Sequence, residues 1–270
     1  MSITRLTAEM IDGLPYSLTE YDEQLKKSIG CTLKALAYDA VGVGPDELDT
    51  KEFSVGVVPV TSGKGIIGGF CSSVCAITKH LGMQSHVTDG YDVHGLTQAI
   101  ESGCDIIFTA DDNVFVAINM RKRKFSENAH CTALGYCVAL EKAVGELHGA
   151  EVLLIGAGRV GSFALDFLTR KGAEVTVVDI NRDRAMKARK RFGVKIEENL
   201  ERAVRDADII YNASPARIPG EWINPGAIVA SPGMPYSFDS EGERKIKILI
   251  HDPLQIGVAV MALQSAKFSI

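Results

Sequence analysis

A chain of 270 residues with 46% hydrophobic side chains and a mean hydropathy of +0.08 can bury the core of one large or two modest domains, which excludes a disordered or low-complexity protein. Its formal charge of -5 excludes a bulk draw toward nucleic acid or anionic membranes and points to small-molecule partners. Met1-Ser2-Ile3-Thr4-Arg5 is not a basic segment leading into an apolar core, no stretch of about 18 apolar residues occurs, and the six cysteines lack C-x-x-C spacing, so a cytoplasmic protein with reduced thiols and no metal site is expected.

In chain order, the first 45 residues are polar and mixed. Capping signals at Thr7 and at Ser17 to Thr19 precede amphipathic stretches such as Thr19 to Ile29, which reads as an N-terminal helical segment. From Phe53, short β-rich runs at Ser54 to Val60, Met83 to Val87 and Asp105 to Thr109 alternate with helical ones. The basic run Arg121 to Lys124 follows a strand-like run and precedes a polar turn, so it reads as a solvated connection. A second series places strands at Val152 to Ile155, Glu174 to Asp179, Asp208 to Asn212, Ala227 to Ala230 and Lys247 to His251.

Strands separated by helices of ten or more residues cannot close as hairpins, so each series is expected to form a parallel sheet under right-handed crossovers. The fold class is α/β, with two Rossmann-like parallel-sheet units behind a helical N-terminus. The join is placed near His148, giving a substrate and catalytic domain over 1–148 and a cofactor domain over 149–270. The final helical run, Gln255 to Phe268, goes with the second domain, with packing back on the first left open. A homodimer is a guess that no motif supports.

The strand Glu151 to Ile155 runs directly into Gly156-Ala157-Gly158-Arg159-Val160-Gly161 and a helix. In that G-x-G-x-x-G order Gly156 permits the tight turn, Gly158 lets the backbone of the turn, with Arg159 and Val160, approach a pyrophosphate, and Gly161 lets the helix press on the strand. Asp179 ends the next strand, where a carboxylate can accept the adenosine ribose hydroxyls and repel a 2′-phosphate. NAD is therefore expected over NADP, with Arg182 and Arg184 as the argument for the phosphorylated cofactor. Gly63-Lys64-Gly65-Ile66-Ile67-Gly68 also fits the motif, with Asp89 ending the following strand, but Thr61 and Ser62 lengthen its turn and suit a small polar substrate better.

Ligands of open α/β sheets bind outside the carboxyl ends of the strands. That rule selects Thr61-Ser62-Gly63, Asp111-Asp112-Asn113, Ala213-Ser214-Pro215 and Asp252. A carboxylate in a dry site can stabilise a developing cation or take a proton, so Asp111 and Asp252 are candidates for the chemistry. Ala213 and Ser214 are expected beside the nicotinamide ribose. Plainer readings stand beside these: Asp-Asp-Asn as a turn or cap, Ser62 as a helix cap, Ala213 and Ser214 as a simple loop. Single histidines such as His130 and His251 are more often satisfied structural groups, and both are left out of the catalytic set.

Val57-Val58-Pro59-Val60-Thr61-Ser62-Gly63 with Gly65-Ile66-Ile67-Gly68, Ala110 to Asn113 with Asn119, Gly156 to Gly161, Ser231-Pro232-Gly233 and Pro253-Leu254 together resemble the dehydrogenase family that performs the last step of pyrrolysine biosynthesis. The likeness covers nearly the whole chain and is thinnest over the first 50 residues. It implies NAD-dependent oxidation of the terminal amine of 3-methyl-D-ornithyl-Nε-L-lysine, loss of ammonia and closure to the pyrroline ring. It also implies substrate contacts from Leu6, Thr61, Ser62, Asp112, Asn113 and Asn119, and cofactor contacts from Ser231 and Pro232 beside the glycine turn. Asp252 stands where the family pattern leads us to expect a glutamate.

The substrate is expected in a cleft between the two units, with the segment around Leu6 as a lid. Dehydrogenases of shikimate-like acids or methylene-carrying pterins, and a non-enzymatic NAD-sensing module, are the rival readings. The acidic set favours an amine, since a carboxylate-bearing ring would want a cation near Thr61 and only Lys64 is there.

Overall fold

The computed structural model describes residues 6–270. Contacts divide the chain into two compact units. The first comprises the chain up to Lys26, Cys31–Gly135 and Pro253–Ile270; the second comprises Lys27–Gly30 and Tyr136–Asp252.

The first unit opens with α1 (Ala8–Ile11), α2 (Leu14–Ile29) and α3 (Leu33–Val41). Its sheet follows as β1 (Ser54–Val58), α4 (Phe70–His80), β2 (Gln84–Val87), α5 (Asp92–Glu101), β3 (Ile106–Ala110), β4 (Phe115–Asn119) and β5 (Lys124–Glu127), and it ends in the first half of α6 (Asn128–Val144). The strand order is β2-β1-β3-β4-β5. β1 pairs in parallel with β2 and β3, Val55 facing Ser85 and Ile106.

The remaining pairs correct the expectation of an all-parallel sheet: β3, β4 and β5 form an antiparallel meander with Phe108 opposite Ala117 and Ala117 opposite Ser126. The connections Asp111 to Val114 and Met120 to Arg123 are too short for a crossover helix, so only hairpins can close them. The basic run is the exposed tip of the second hairpin, where Arg123 takes a left-handed φ of +54°.

The second unit holds β6 (Glu151–Ile155), α7 (Arg159–Arg170), β7 (Glu174–Val178), α8 (Arg182–Phe192), β8 (Lys195–Ile196), α9 (Leu200–Arg205), β9 (Ile209–Asn212), β10 (Ile228–Ala230), α10 (Ser240–Lys245) and β11 (Ile248–Ile250). Its six strands are parallel in the order β11-β10-β9-β6-β7-β8. The crossover α7 buries Gly161, Ala164, Leu165 and Leu168, the helical spacing of one apolar face. Only β8, two residues long, has no run of its own in the sequence.

The domain limits differ from those expected. α6 runs unbroken from Asn128 to Val144 and the division falls inside it, at Gly135/Tyr136, rather than after it. The last helix, α11 (Gln255–Lys267), belongs to the first unit. Ile256 and Val258–Leu263 are buried all round, and a helix without a polar face must be covered on every side. β4, β5, α3 and α4 cover it, with Ser265 Oγ donating to Ala117 O and Ser126 Oγ to Met261 O, both at 2.9 Å. Among the described residues, no helix is long and apolar enough to cross a membrane.

Candidate active site

In the second unit the carboxyl end of β6 enters the glycine turn. Gly156 has φ +88°, and a Cβ there would lie 3.1 Å from Ala213 O. A Cβ on Gly161 would lie 1.9 Å from Gly156 O, so the helix can approach the strand this closely only without a side chain. Gly158 caps α7. A Cβ on it would meet nothing nearer than Arg184 Nη1 at 3.9 Å, which leaves the outer face of the turn open to a ligand. Asp179 folds back on the turn: its Oδ2 accepts from Ala157 N and its Oδ1 from Asn181 N, both at 2.7 Å.

Ala213 and Ser214 follow β9, half-buried, and Ser214 is held by Asn212 Oδ1. Ser231 is completely buried, and its hydroxyl accepts from Asn212 Nδ2 at 3.2 Å. That corrects its expected place as a cofactor contact: its side chain braces the strand ends from beneath, and Pro232 stays half-buried beside it. The residues present suit a dinucleotide, because the turn is a cradle that side chains would fill and a helix N-terminus faces it.

In the first unit a cavity of about 390 Å³ lies at the carboxyl ends of β1 and β3. Leu6, Ser62, Asp111, Asp112 and Asn113 all line it, so five of the expected substrate and catalytic residues share one cavity. Phe70 and Phe115, stacked edge to face with centroids 5.1 Å apart, supply apolar wall together with Val58, Ile66 and Ile67.

Asp111 turns the chain between β3 and β4, its Oδ1 accepting from Asn113 N and Val114 N at 2.7 Å each. Those two bonds hold its carboxyl below the usual carboxylate range. Asp112 Oδ2 accepts from Lys64 N at 2.8 Å, and a Cβ on Gly63, at φ +70°, would run into that carboxylate. Cys71 also faces the cavity, and burial pushes its thiol up to about 11, so it stays protonated.

Two expected substrate residues are placed otherwise. Thr61 does not line the cavity; its N–H and Oγ1–H both donate to Asp92, at 2.8 and 2.5 Å. Asn119 is completely buried at the opposite end of β3, its Nδ2 donating to Ser265 O and Ser269 Oγ at 2.8 Å each. The family pattern marked a structural bond to α11 as a contact. The rival glycine motif also fails as a nucleotide turn: β1 ends at Val58 and α4 begins only at Phe70, so Gly63 and Gly65 sit in a long loop that lines the cavity.

Asp252 lies in the second unit, 5% exposed, and its Oδ2 accepts from the Tyr136 hydroxyl at 3.0 Å. Sequence reasoning passed over Asp92, Tyr136, Phe70 and Phe115. The rival glycine motif drew attention to Asp89 instead of Asp92, and only Phe115, next to the Asp-Asp-Asn turn, had a signal within reach.

A family profile, "Pyrrolysine biosynthesis protein PylD, N-terminal domain", matches residues 10–126, and "Alanine dehydrogenase/PNT, C-terminal domain" matches residues 128–224. The pyrrolysine synthase of Methanosarcina acetivorans is 33% identical over 95% of this chain and 97% of its own length. That of Methanosarcina barkeri is 32% identical over 92% and 95%. Among solved structures, shikimate dehydrogenase from Aquifex aeolicus matches with a TM-score of 0.52 at 15% identity, over 82% of this chain and 98% of its own. Quinate dehydrogenase from Corynebacterium glutamicum in complex with NAD matches with a TM-score of 0.51 at 16% identity, over 80% and 94%.

The glycine turn, the acid folded back on it and this shared architecture define the fold class of the two-unit α/β dehydrogenases. Within that class, the chain belongs to the pyrrolysine synthase family.

Proposed function

We propose that the protein is an NAD-dependent amine dehydrogenase that oxidises the terminal amine of 3-methyl-D-ornithyl-Nε-L-lysine, releasing ammonia and closing the pyrroline ring of pyrrolysine. The observation that carries the reading is the first-unit cavity, whose apolar wall of Phe70, Phe115 and Val58 meets two carboxylates, Asp111 and Asp112. An aliphatic chain ending in ammonium matches that lining, whereas an anionic ring would find only Lys64 among its described residues.

NAD, when bound, supplies the hydride acceptor. Gly156, Gly158 and Gly161 would hold its pyrophosphate, and the charge of Asp179 favours a free ribose hydroxyl over a 2′-phosphate. The substrate ammonium gives up a proton to solvent and its carbon a hydride, leaving an iminium. Water adds, ammonia leaves, and the aldehyde condenses with the α-amine, returning one water. Asp111, kept ionised by its two backbone donors, is a poor proton acceptor and a lasting anion. Its part is to hold the cationic amine and offset the iminium charge. Asp252, buried in the second unit and held by the Tyr136 hydroxyl, lies outside that cavity lining.

The test is NADH absorbance on mixing the purified protein with NAD and the dipeptide, with mass spectrometry of the product and NADP in parallel. NADH together with a pyrroline-bearing amino acid supports the reading. Cofactor binding without turnover would sink it, and preferential NADP reduction would overturn the part assigned to Asp179.

A further inference from the structure

Asp92, like Arg123, carries a left-handed φ on a non-glycine side chain, at +52°. Such a conformation is strained and persists where surrounding bonds over-determine it. Here the surroundings are bonds to one loop. The Asp92 N–H donates to Pro59 O at 2.9 Å, and its carboxylate accepts both the N–H and the hydroxyl of Thr61. From the other side Asp112 Oδ2 accepts the N–H of Lys64 at 2.8 Å and lies against Gly63. The segment from Thr61 to Gly65 is thus held between two carboxylates, one at the start of α5 and one in the β3–β4 turn. The same segment supplies Ser62, Lys64 and Gly65 to the cavity wall.

We infer that Asp92 is a positioning residue for substrate: with Asp112 it forms a two-carboxylate clamp that fixes the Thr61–Gly65 loop in the shape that receives the amine substrate. The inference rests on the function proposed above. It explains why a charged, outward-lying residue holds an unfavourable backbone angle, and why Thr61 reaches Asp92 rather than the cavity. The two bonds from Thr61 keep the Asp92 carboxyl below its ordinary range, so Asp92 is in its ionised form at neutral pH.

The discriminating variant is Asp92→Gly, because glycine adopts φ +52° without strain and removes only the carboxylate. With the dipeptide as substrate, KM is expected to rise about tenfold, as for loss of charge-assisted hydrogen bonds. The expected kcat stays within about threefold and NAD affinity within twofold. Asp92→Asn, which keeps one acceptor and tolerates the left-handed region, should recover most of the loss. Amide exchange over residues 59–69 should quicken in Asp92→Gly and not elsewhere. If Asp92→Gly folds poorly, Thr61→Val removes the hydroxyl bond alone and should raise KM about threefold. Unchanged KM with unchanged exchange would overturn the clamp. If the wild-type protein does not turn over the dipeptide, the proposed function fails, while exchange of the 59–69 amides still decides whether Asp92 holds the loop.

Discussion

The hydroxyl of Tyr136 lies 2.8 Å from the amide nitrogen of Asp252, 2.9 Å from its carbonyl oxygen and 3.0 Å from its Oδ2, across 116 positions of sequence. It accepts from the N–H and has one proton to give to the oxygens. Burial first, and then the charge of Asp252, push the Tyr136 hydroxyl well above its ordinary pKa, so it remains a neutral donor. Both residues are second-unit neighbours of the points where the chain passes between units, Gly135/Tyr136 and Asp252/Pro253.

Replacing Tyr136 by Phe deprives a buried carboxylate and a buried amide of this partner. Stability should fall by about 2 kcal/mol, and thermal denaturation should show Tm lowered by roughly 4 °C or more. A Tm within a degree of wild type would mean the hydroxyl contributes nothing there.

Asp111→Asn should lower kcat/KM for the dipeptide about 100-fold, the scale of losing one electrostatic contact in an active site, while NAD affinity by titration calorimetry stays unchanged. The pH dependence follows from the sign of the shift. The folded carboxyl lies below the unfolded value of about 3.9, so the ionised form and the stability it brings are present above that value. They are lost only as pH falls through the lower folded pKa. A kcat/KM profile with an inflection near pH 6 that vanishes in Asp111→Asn would contradict this.

Gly158→Ala and Gly161→Ala should separate folding from binding. At Gly158 the added methyl meets open space and φ is -72°, so Tm should hold while NAD affinity drops about tenfold or more. At Gly161 the methyl runs into the Gly156 carbonyl, so both Tm and binding should fall. Equal behaviour of the two variants in a melting and binding series would be evidence against the open outer face of the turn.

Asn119→Ala tests the structural role given to a residue that a family pattern marks as a substrate contact. Removing its two bonds to the end of α11 should cost about 1–3 kcal/mol, seen in denaturant titration, with KM for the dipeptide within twofold of wild type. A large rise in KM at unchanged stability would return Asn119 to the substrate site.

The two α/β units and the cofactor turn were legible in the residues because their signals are local. Runs such as Val152 to Ile155 and Glu174 to Val178 announce strands by composition, and the spacing between them admits helices. Gly156, Gly158 and Gly161 act within one turn, and Asp179 lies one strand away. The Asp111–Asn113 end of the cavity was reached by the strand-end rule and by the family resemblance together.

Tertiary structure decided the rest. The apolar run of α11 says that the helix is buried but not under which sheet, and packing on β4 and β5 places it in the first unit. Whether a polar side chain faces a ligand or the protein depends on partners far along the chain. Thr61 meets Asp92 31 positions away, and Asn119 meets Ser265 146 positions away. Periodicity carries the direction of a side chain; the identity of a distant hydrogen-bond partner exists only once both strands are packed and water has been excluded from between them.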